Sequence, residues 1–431
     1  MRVTNSATYR NFTSSVNDVH AQLNRSMNKI SSGKQYENAA ESPLSYYRGK
    51  RIDDQYQDAL SKSNLLTDIK NRIYQQELGA RDIQKILANA KNKVQEARTG
   101  TTSDEALKTL QADLLQKEHQ IIDDLNGQYE NFYIYGGNDL SSTPFTLSQD
   151  GSTLTYTHKY ASYPDDSLSI EMKLEYKGAA EDPPYQFNIT SVKDSKGNFV
   201  TKDANGAITV TPSTPPPATL PSGMDAYGKT LLVEAMSEQG RVDIGYGDIS
   251  SKNPQYTTNN NMDVRDTLLD TYTGGFNLLT GISSDEVIAR KTNPNSTPAV
   301  EDYIMERLNK SPLALIGQAS LAIDNNLSGD AATINKDELH DILGQTIEDM
   351  TVTEHTVSTV YSDLGNKYKL LEDTDAKLKI LQDSLTEQYK DILGADPYAS
   401  VLEMYNNNYA YNAALRVGSQ LMSSSLFDFM R

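Results

Sequence analysis

The side chains best suited to catalysis or metal binding in this sequence are few and scattered. The imidazoles are His20, His119, His158, His340 and His355. No two of them flank a glutamate at the four-residue spacing that turns both rings toward one zinc ion on a helical face. Glu338 with His340 and Glu354 with His355 are wrongly spaced for such a site. The acidic pairs Asp53-Asp54, Asp123-Asp124 and Asp165-Asp166 offer carboxylates for acid–base work, but each is a pair of neighbours in a strongly polar stretch, where solvation explains them. The alternating oxygen ligands of a calcium loop are not found. Gly274-Gly275 and Gly245-Tyr246-Gly247 lack the lysine or third spaced glycine of a phosphate-cradling loop and read as turns. Asn11-Phe12-Thr13, Asn24-Arg25-Ser26 and Asn188-Ile189-Thr190 match the N-glycosylation pattern no more often than chance provides. Cysteine is absent, which removes thiolate nucleophiles, disulfides and thiolate zinc sites. The expectation is a protein with no catalytic residue, no cofactor and no metal, and not an enzyme. One chemical handle remains. Tyr156, Tyr160, Tyr163, Tyr176 and Tyr185 crowd the middle of the chain, where aromatic faces either stack on a sugar or a partner, or simply fill a pleated sheet surface.

Charge narrows the partners further. Against 40 basic side chains stand 58 acidic ones, a net charge of −18, which repels phosphate backbones and anionic lipid head groups. Neither nucleic acid nor membrane is expected as a partner. No stretch approaches the ~20 apolar residues of a membrane helix. Met1-Arg2-Val3-Thr4-Asn5-Ser6 lacks the charged start, apolar run and small-residue cleavage site of a secretory signal. The sequence therefore reads as a cytoplasmic soluble protein or one exported without a cleaved signal. At 431 residues it is long enough for about three domains.

The elements that would position any site are legible from hydrophobic spacing. Tyr9, Phe12, Val16, Val19, Leu23 and Ile30 alternate three and four residues apart until Ser26 interrupts, a heptad stripe that Ser31-Ser32-Gly33 ends. This predicts a helix over most of 5–31. Ile52, Ala59, Leu66, Ile73, Ala80, Leu87 and Val94 follow at strict sevenfold spacing, with Ile69, Ile83, Ala90 and Ala97 between them, and the helix should end near Gly100. Ser103 ahead of Glu105-Ala106-Leu107 offers a cap for a third helix. Toward the other end Leu343, Met350, Val357, Leu364, Leu371, Leu378, Leu385 and Ile392 repeat the pattern, a helix of roughly 75 Å at 1.5 Å per residue, broken at Gly394-Ala395-Asp396-Pro397. A last stripe carries Leu402, Tyr405, Tyr409, Ala413, Val417 and Leu421.

The middle has a different period. Leu168, Ile170, Met172, Leu174 and Tyr176 alternate with polar residues, as half-buried strands do, and 153–160 and 187–192 read similarly. Asn205-Gly206 between Phe199-Val200 and Ile208-Val210 signals a hairpin, and the run holding Pro215-Pro216-Pro217 an extended loop. The predicted fold class is α+β: a long antiparallel helical bundle or coiled coil built from both chain ends, with a β-rich domain inserted at 141–290. Its terminal stripes need partner helices, since a helix of ~25 residues is marginal alone. Periodicity leaves two arrangements open, the ends packed on each other within one monomer or an assembly between copies.

The ends also carry motifs. Met1-Arg2-Val3-Thr4, the segment from Leu23 through Gly33-Lys34 and the closing Ser424-Ser425-Leu426-Phe427-Asp428-Phe429 resemble the flagellin superfamily. Within it, Asn131-Phe132-Tyr133-Ile134-Tyr135-Gly136-Gly137 with Pro144-Phe145, after the Gly100-Thr101-Thr102-Ser103 turn, looks like the hook-associated branch. The likeness spans about residues 1–147 and 335–431, and Ala40-Glu41-Ser42-Pro43 departs from the branch's usual two acids before the proline. The resemblance implies an extracellular structural protein of the bacterial flagellum, exported by the flagellar type III apparatus. It implies a ring-like homo-oligomer, contacts with a neighbouring hook-associated protein and with filament subunits, and an export chaperone at the C-terminal helix. Residues 1–45 and 396–431 would be assembly helices, with 46–140 and 291–395 as two parts of a helical rod. The expected subunit interface is Tyr9, Phe12, Val16, Val19, Leu23, Ile30, Leu402, Tyr405, Tyr409, Val417, Leu421 and Leu426. Two rival readings are flagellin, the bulk filament subunit, and a secreted adhesin whose middle domain binds a ligand.

Overall fold

In the computed structural model the described residues are 2–36, 38–99, 102–178, 180–203, 206–213, 221–244, 268–293, 296–328 and 334–429. Helix α1 spans Arg2–Ser32. It stops where Gly33 turns to φ +68°, a left-handed conformation that a side chain would strain. Helix α2, Pro43–Arg98, opens on a proline, whose missing N–H is harmless at that position. Helix α3, Asp104–Leu125, begins as its sequence suggests: the Ser103 hydroxyl accepts the Ala106 N–H at 3.3 Å, and Asp104 and Glu105 sit at the positive end of the helix dipole.

After the short hairpin of β1 (Gln128–Tyr129) and β2 (Phe132–Tyr133), six strands form an antiparallel meander in chain order. They are β3 (Phe145–Leu147), β4 (Thr153–His158), β5 (Leu168–Tyr176), β6 (Tyr185–Asp194), β7 (Phe199–Lys202) and β8 (Ile208–Thr211). The alternation in β5 sets the register, because a one-residue slip would turn Leu168, Ile170, Met172 and Leu174 out of the core. A bulge in β6 at Thr190 interrupts the pairing between Glu171↔Ser191 and Met172↔Ile189. The predicted hairpin is present, with Lys202 paired to Ile208 and Gly206 at φ +86°; Asn205 and the Pro215-Pro216-Pro217 run lie outside the described residues.

Helices α4 (Met224–Met236), α5 (Gly275–Thr280), α6 (Ser284–Thr292), α7 (Val300–Asn309) and α8 (Pro312–Ser328) were not foreseen from periodicity. A two-stranded ribbon of β9 (Arg241–Asp243) and β10 (Leu268–Asp270) falls among them. They cover the sheet: Gly228 of α4 lies against Ile189 and Val192, and Gly317 of α8 against Leu174. α8 is buried on nearly every side, so it carries no polar stripe for a 3.6-residue period to reveal.

Helix α9, Lys336–Leu393, and helix α10, Pro397–Phe429, complete the chain. Asp396 caps α10, its carboxylate accepting the N–H groups of Tyr398 at 2.8 Å and Ala399 at 3.2 Å. The heptad positions are the core of the long helices. Ile52 through Val94 in α2 and Leu343 through Leu385 in α9 are buried at each sevenfold step.

The chain divides into two units, residues 67–372 and residues 1–66 with 373–431. In the first, Lys91 pairs with Glu354 at 2.6 Å, and the Gln76 amide donates to the carbonyl of Ile134 at 2.6 Å. This unit also holds one ill-matched group. The Glu118 carboxyl is fully buried between Gly151 and Gly317, and neither of its oxygens has a hydrogen-bond partner. Burial first, and the Asp150 carboxylate second, raise its pKa well above the ordinary value.

Candidate assembly interface

In the other unit, α1 and α10 run antiparallel as a pair. Along the seam, Lys29 pairs with Glu403 at 3.1 Å, the Asn407 amide donates to the Ser26 hydroxyl at 3.1 Å, and the His20 and Tyr411 rings lie 5.3 Å apart. Further on, the Phe12 ring occupies the space a side chain at Gly418 would need. As positions on α1 fall from 29 to 12, their partners on α10 rise from 403 to 418, which fixes the direction and the register. At the open end of the pair, the N–H of Gln35 donates to the Leu393 carbonyl at 2.7 Å and that of Ala395 to the Gly33 carbonyl at 2.9 Å.

The expected interface residues divide between two surfaces. On α1, Leu23 is buried, Phe12, Val16 and Val19 are half-buried in the seam, and Tyr9 and Ile30 are exposed. On α10 the seam is a different set, Ser400, Met404, Asn407, Tyr411, Ala414 and Gly418, spaced four and three apart. The expected stripe stands on the far side of the helix at 100° per residue. There Leu402 is 54%, Tyr405 65% and Tyr409 80% exposed, while Val417, 50% exposed, stands on the flank beside Gly418. Tyr398 extends that stripe by one turn and was not anticipated. The side chains of Leu421 and Leu426 lie outside the described residues. The α10 seam was hard to find because four of its six residues are small or polar, so only the spacing marks it.

α1 thus covers the plainer face of α10 and leaves the more apolar face open. Large apolar side chains exposed in residues 67–372 are Tyr74, Phe132, Ile208, Val210, Val352 and Leu370. All the others among the described residues belong to the terminal unit, including Leu44, Tyr47, Ile380 and Leu381 beside those of α1 and α10.

Catalytic geometry is a poorer fit. His158 is buried with its Nε2 2.9 Å from Glu238, whose second oxygen accepts the Asn138 N–H at 2.8 Å, an arrangement that ties two loops together. His20 is exposed at the edge of the α1–α10 seam, its ring tilted against that of Tyr411. Among the described residues no three His, Asp or Glu side chains converge as metal ligands, and no helix is long and apolar enough to cross a membrane.

The family model for the bacterial flagellin N-terminal helical region matches residues 3–137, the stretch from α1 through the Asn131–Gly137 motif. Over these residues the chain is similar to that helical region. No curated protein sequence matches the chain. Among solved structures, similar ones include a protein assigned as a flagellar hook-associated protein from Vibrio parahaemolyticus, at 9% identity and a TM-score of 0.45 over 82% of this chain and 100% of that one. Others are the flagellar hook-associated protein-3 from Legionella pneumophila, at 12% identity, a TM-score of 0.35 and coverage of 80% and 98%, and the flagellar junction protein from the same organism, at 12%, 0.29, 75% and 99%. The likeness rests on the family match and not on these partial superpositions. In the matched region the closing motif has a visible structural task. Tyr135 is wholly buried, and its hydroxyl donates to the Gln76 carbonyl of α2 at 2.5 Å.

Proposed function

We propose that this chain is a structural adaptor of the bacterial flagellum, forming the junction between hook and filament by helical self-assembly, and that it is not an enzyme. The observation carrying the reading is the outer apolar face of α10, where Tyr398, Leu402, Tyr405 and Tyr409 are exposed opposite the seam filled by α1. Fully burying a large apolar side chain contributes about 1.5–3 kcal/mol, so a stripe of four, repeated around a ring, is ample to drive association. Neighbouring copies would cover this face, while the acidic sheet-bearing unit would point outward. One rim of the ring would meet another hook-associated protein and the other the filament subunits. Before assembly the exposed stripe needs a cover, which suits an export chaperone on α10 and passage through the type III apparatus.

The polymerisation behaviour of the purified chain tests this. Electron microscopy should show monomers or short rings under conditions in which filament subunits grow long filaments. Long filaments grown from this chain alone would make it the bulk filament subunit instead.

A further inference from the structure

The seam between α1 and α10 contains a polar pair where a heptad calls for apolar side chains. Ser26 is 0% exposed, in a helix whose other polar residues face solvent. Its hydroxyl donates back to the Gln22 carbonyl at 3.0 Å, leaving its lone pairs for the Asn407 amide, which donates to it at 3.1 Å. Asn407 reaches the Gln22 carbonyl as well, at 3.4 Å. Asn407 therefore occupies a seam position in the middle of α10, with its amide satisfied by α1 alone. A stripe of Ser400, Met404, Ala414 and Gly418 gives little shape by which one register beats another.

We infer that the Ser26–Asn407 hydrogen bond adds to the backbone bonds of Gln35 and Ala395 and to the Lys29–Glu403 pair in selecting the register in which α1 and α10 pair. Slide the helices by one heptad and Asn407 comes opposite Val19, which offers its amide nothing, while Ser26 comes opposite Ser400. Asn407 is half-buried, so in the slipped register its amide forfeits the hydrogen bond and bears part of its desolvation penalty, which disfavours the slipped state. The Phe12–Gly418 contact does not discriminate in the same way, because an aromatic ring displaced toward Tyr411 still finds an apolar neighbour. Register matters to any assembly built on α10, since a slip of seven residues displaces its outer stripe by about 10.5 Å along the axis. The inference concerns pairing within one chain and does not depend on which flagellar structure that chain enters.

The native chain has no cysteine, so introduced thiols report the register directly. H20C with Y411C marks the observed pairing, and H20C with M404C a slip of one heptad. Dibromobimane, which links only thiols a few ångströms apart, is added to dilute full-length protein and the intramolecular product is followed by fluorescence. With Ser26 and Asn407 in place, the slipped pair should link at no more than about a tenth of the rate of the native pair. In an S26A/N407L background the slipped pair should gain at least about threefold relative to the native pair, with helicity retained or increased. If that background loses helix, N407A alone carries the test, and its slipped pair should also gain rate. The inference is overturned if the slipped pair already links readily in the native background, or stays slow once Asn407 is replaced.

Discussion

A chain carrying L402Q, Y405Q and Y409Q should fold as the unaltered protein does and fail to enter the flagellar assembly. All three side chains are more than half exposed on the face of α10 that α1 does not reach, so the monomer loses no packing. Glutamine is a good helix former without charge, and each exposed substitution should alter stability by no more than about 0.5 kcal/mol. In an assembly that buries this stripe, each side chain contributes about 1.5–3 kcal/mol, roughly 5–9 kcal/mol for the three. At about 1.4 kcal/mol per tenfold, subunit association should weaken at least about a thousandfold. Thermal unfolding and fractionation of sheared flagella measure the two halves of this expectation. Ile208→Gln with Val210→Gln, exposed on the edge strand β8 of the other unit, should leave incorporation unchanged.

The second large effect belongs to Glu118 and to stability. Its carboxyl is buried without a hydrogen-bond partner, and burial with the nearby Asp150 carboxylate raises its folded pKa well above the ordinary value. The unfolded chain releases this proton near pH 4.3, whereas the folded chain keeps it. Stability from this group is therefore complete below about pH 4.3 and falls as pH rises toward the folded pKa, by up to about 1.4 kcal/mol per pH unit. Glu118→Gln keeps the shape and removes the titration. Between pH 5 and pH 7 the unaltered protein should lose stability relative to the variant, read from urea unfolding at the two pH values. Asp124 is raised to about 6 by burial and by Asp82 and Asp123 and acts in the same direction, but it is common to both proteins and cancels in the difference. A variant whose stability tracks that of the unaltered protein across this range would show that Glu118 ionises freely.

Legibility in the sequence followed the strength of each local signal. Sevenfold repeats in α2 and α9 survive into the structure residue by residue, because burying one apolar position per two turns is the physical requirement that created them. The period of two in β5 and the Ser103 cap are equally direct. Helix α8 was invisible for the opposite reason: apolar on nearly every side, it has no period to detect. The terminal interface was half legible. Phe12, Val16, Val19 and Leu23 of the α1 stripe face the partner helix while Tyr9 and Ile30 are exposed, and on α10 the most apolar stripe points outward and the seam uses Ser400, Asn407 and Gly418. Hydrophobicity alone ranks those two faces in the wrong order for intramolecular packing. Only the complementary shapes and hydrogen bonds of α1 show that the plainer face is the one turned inward.

That inversion is what places the outer stripe at the centre of the proposed function, and a single thiol reports on it. Tyr409→Cys introduces the only cysteine into the chain. On the free monomer this thiol should react with a maleimide as quickly as one placed at Val210, since both positions are exposed. In intact flagella built from the same proteins, the thiol at 409 should be protected while that at 210 remains reactive. Equal labelling of both positions in the assembled flagellum would mean that no neighbour covers α10, and the account of the outer stripe as an assembly surface would be wrong.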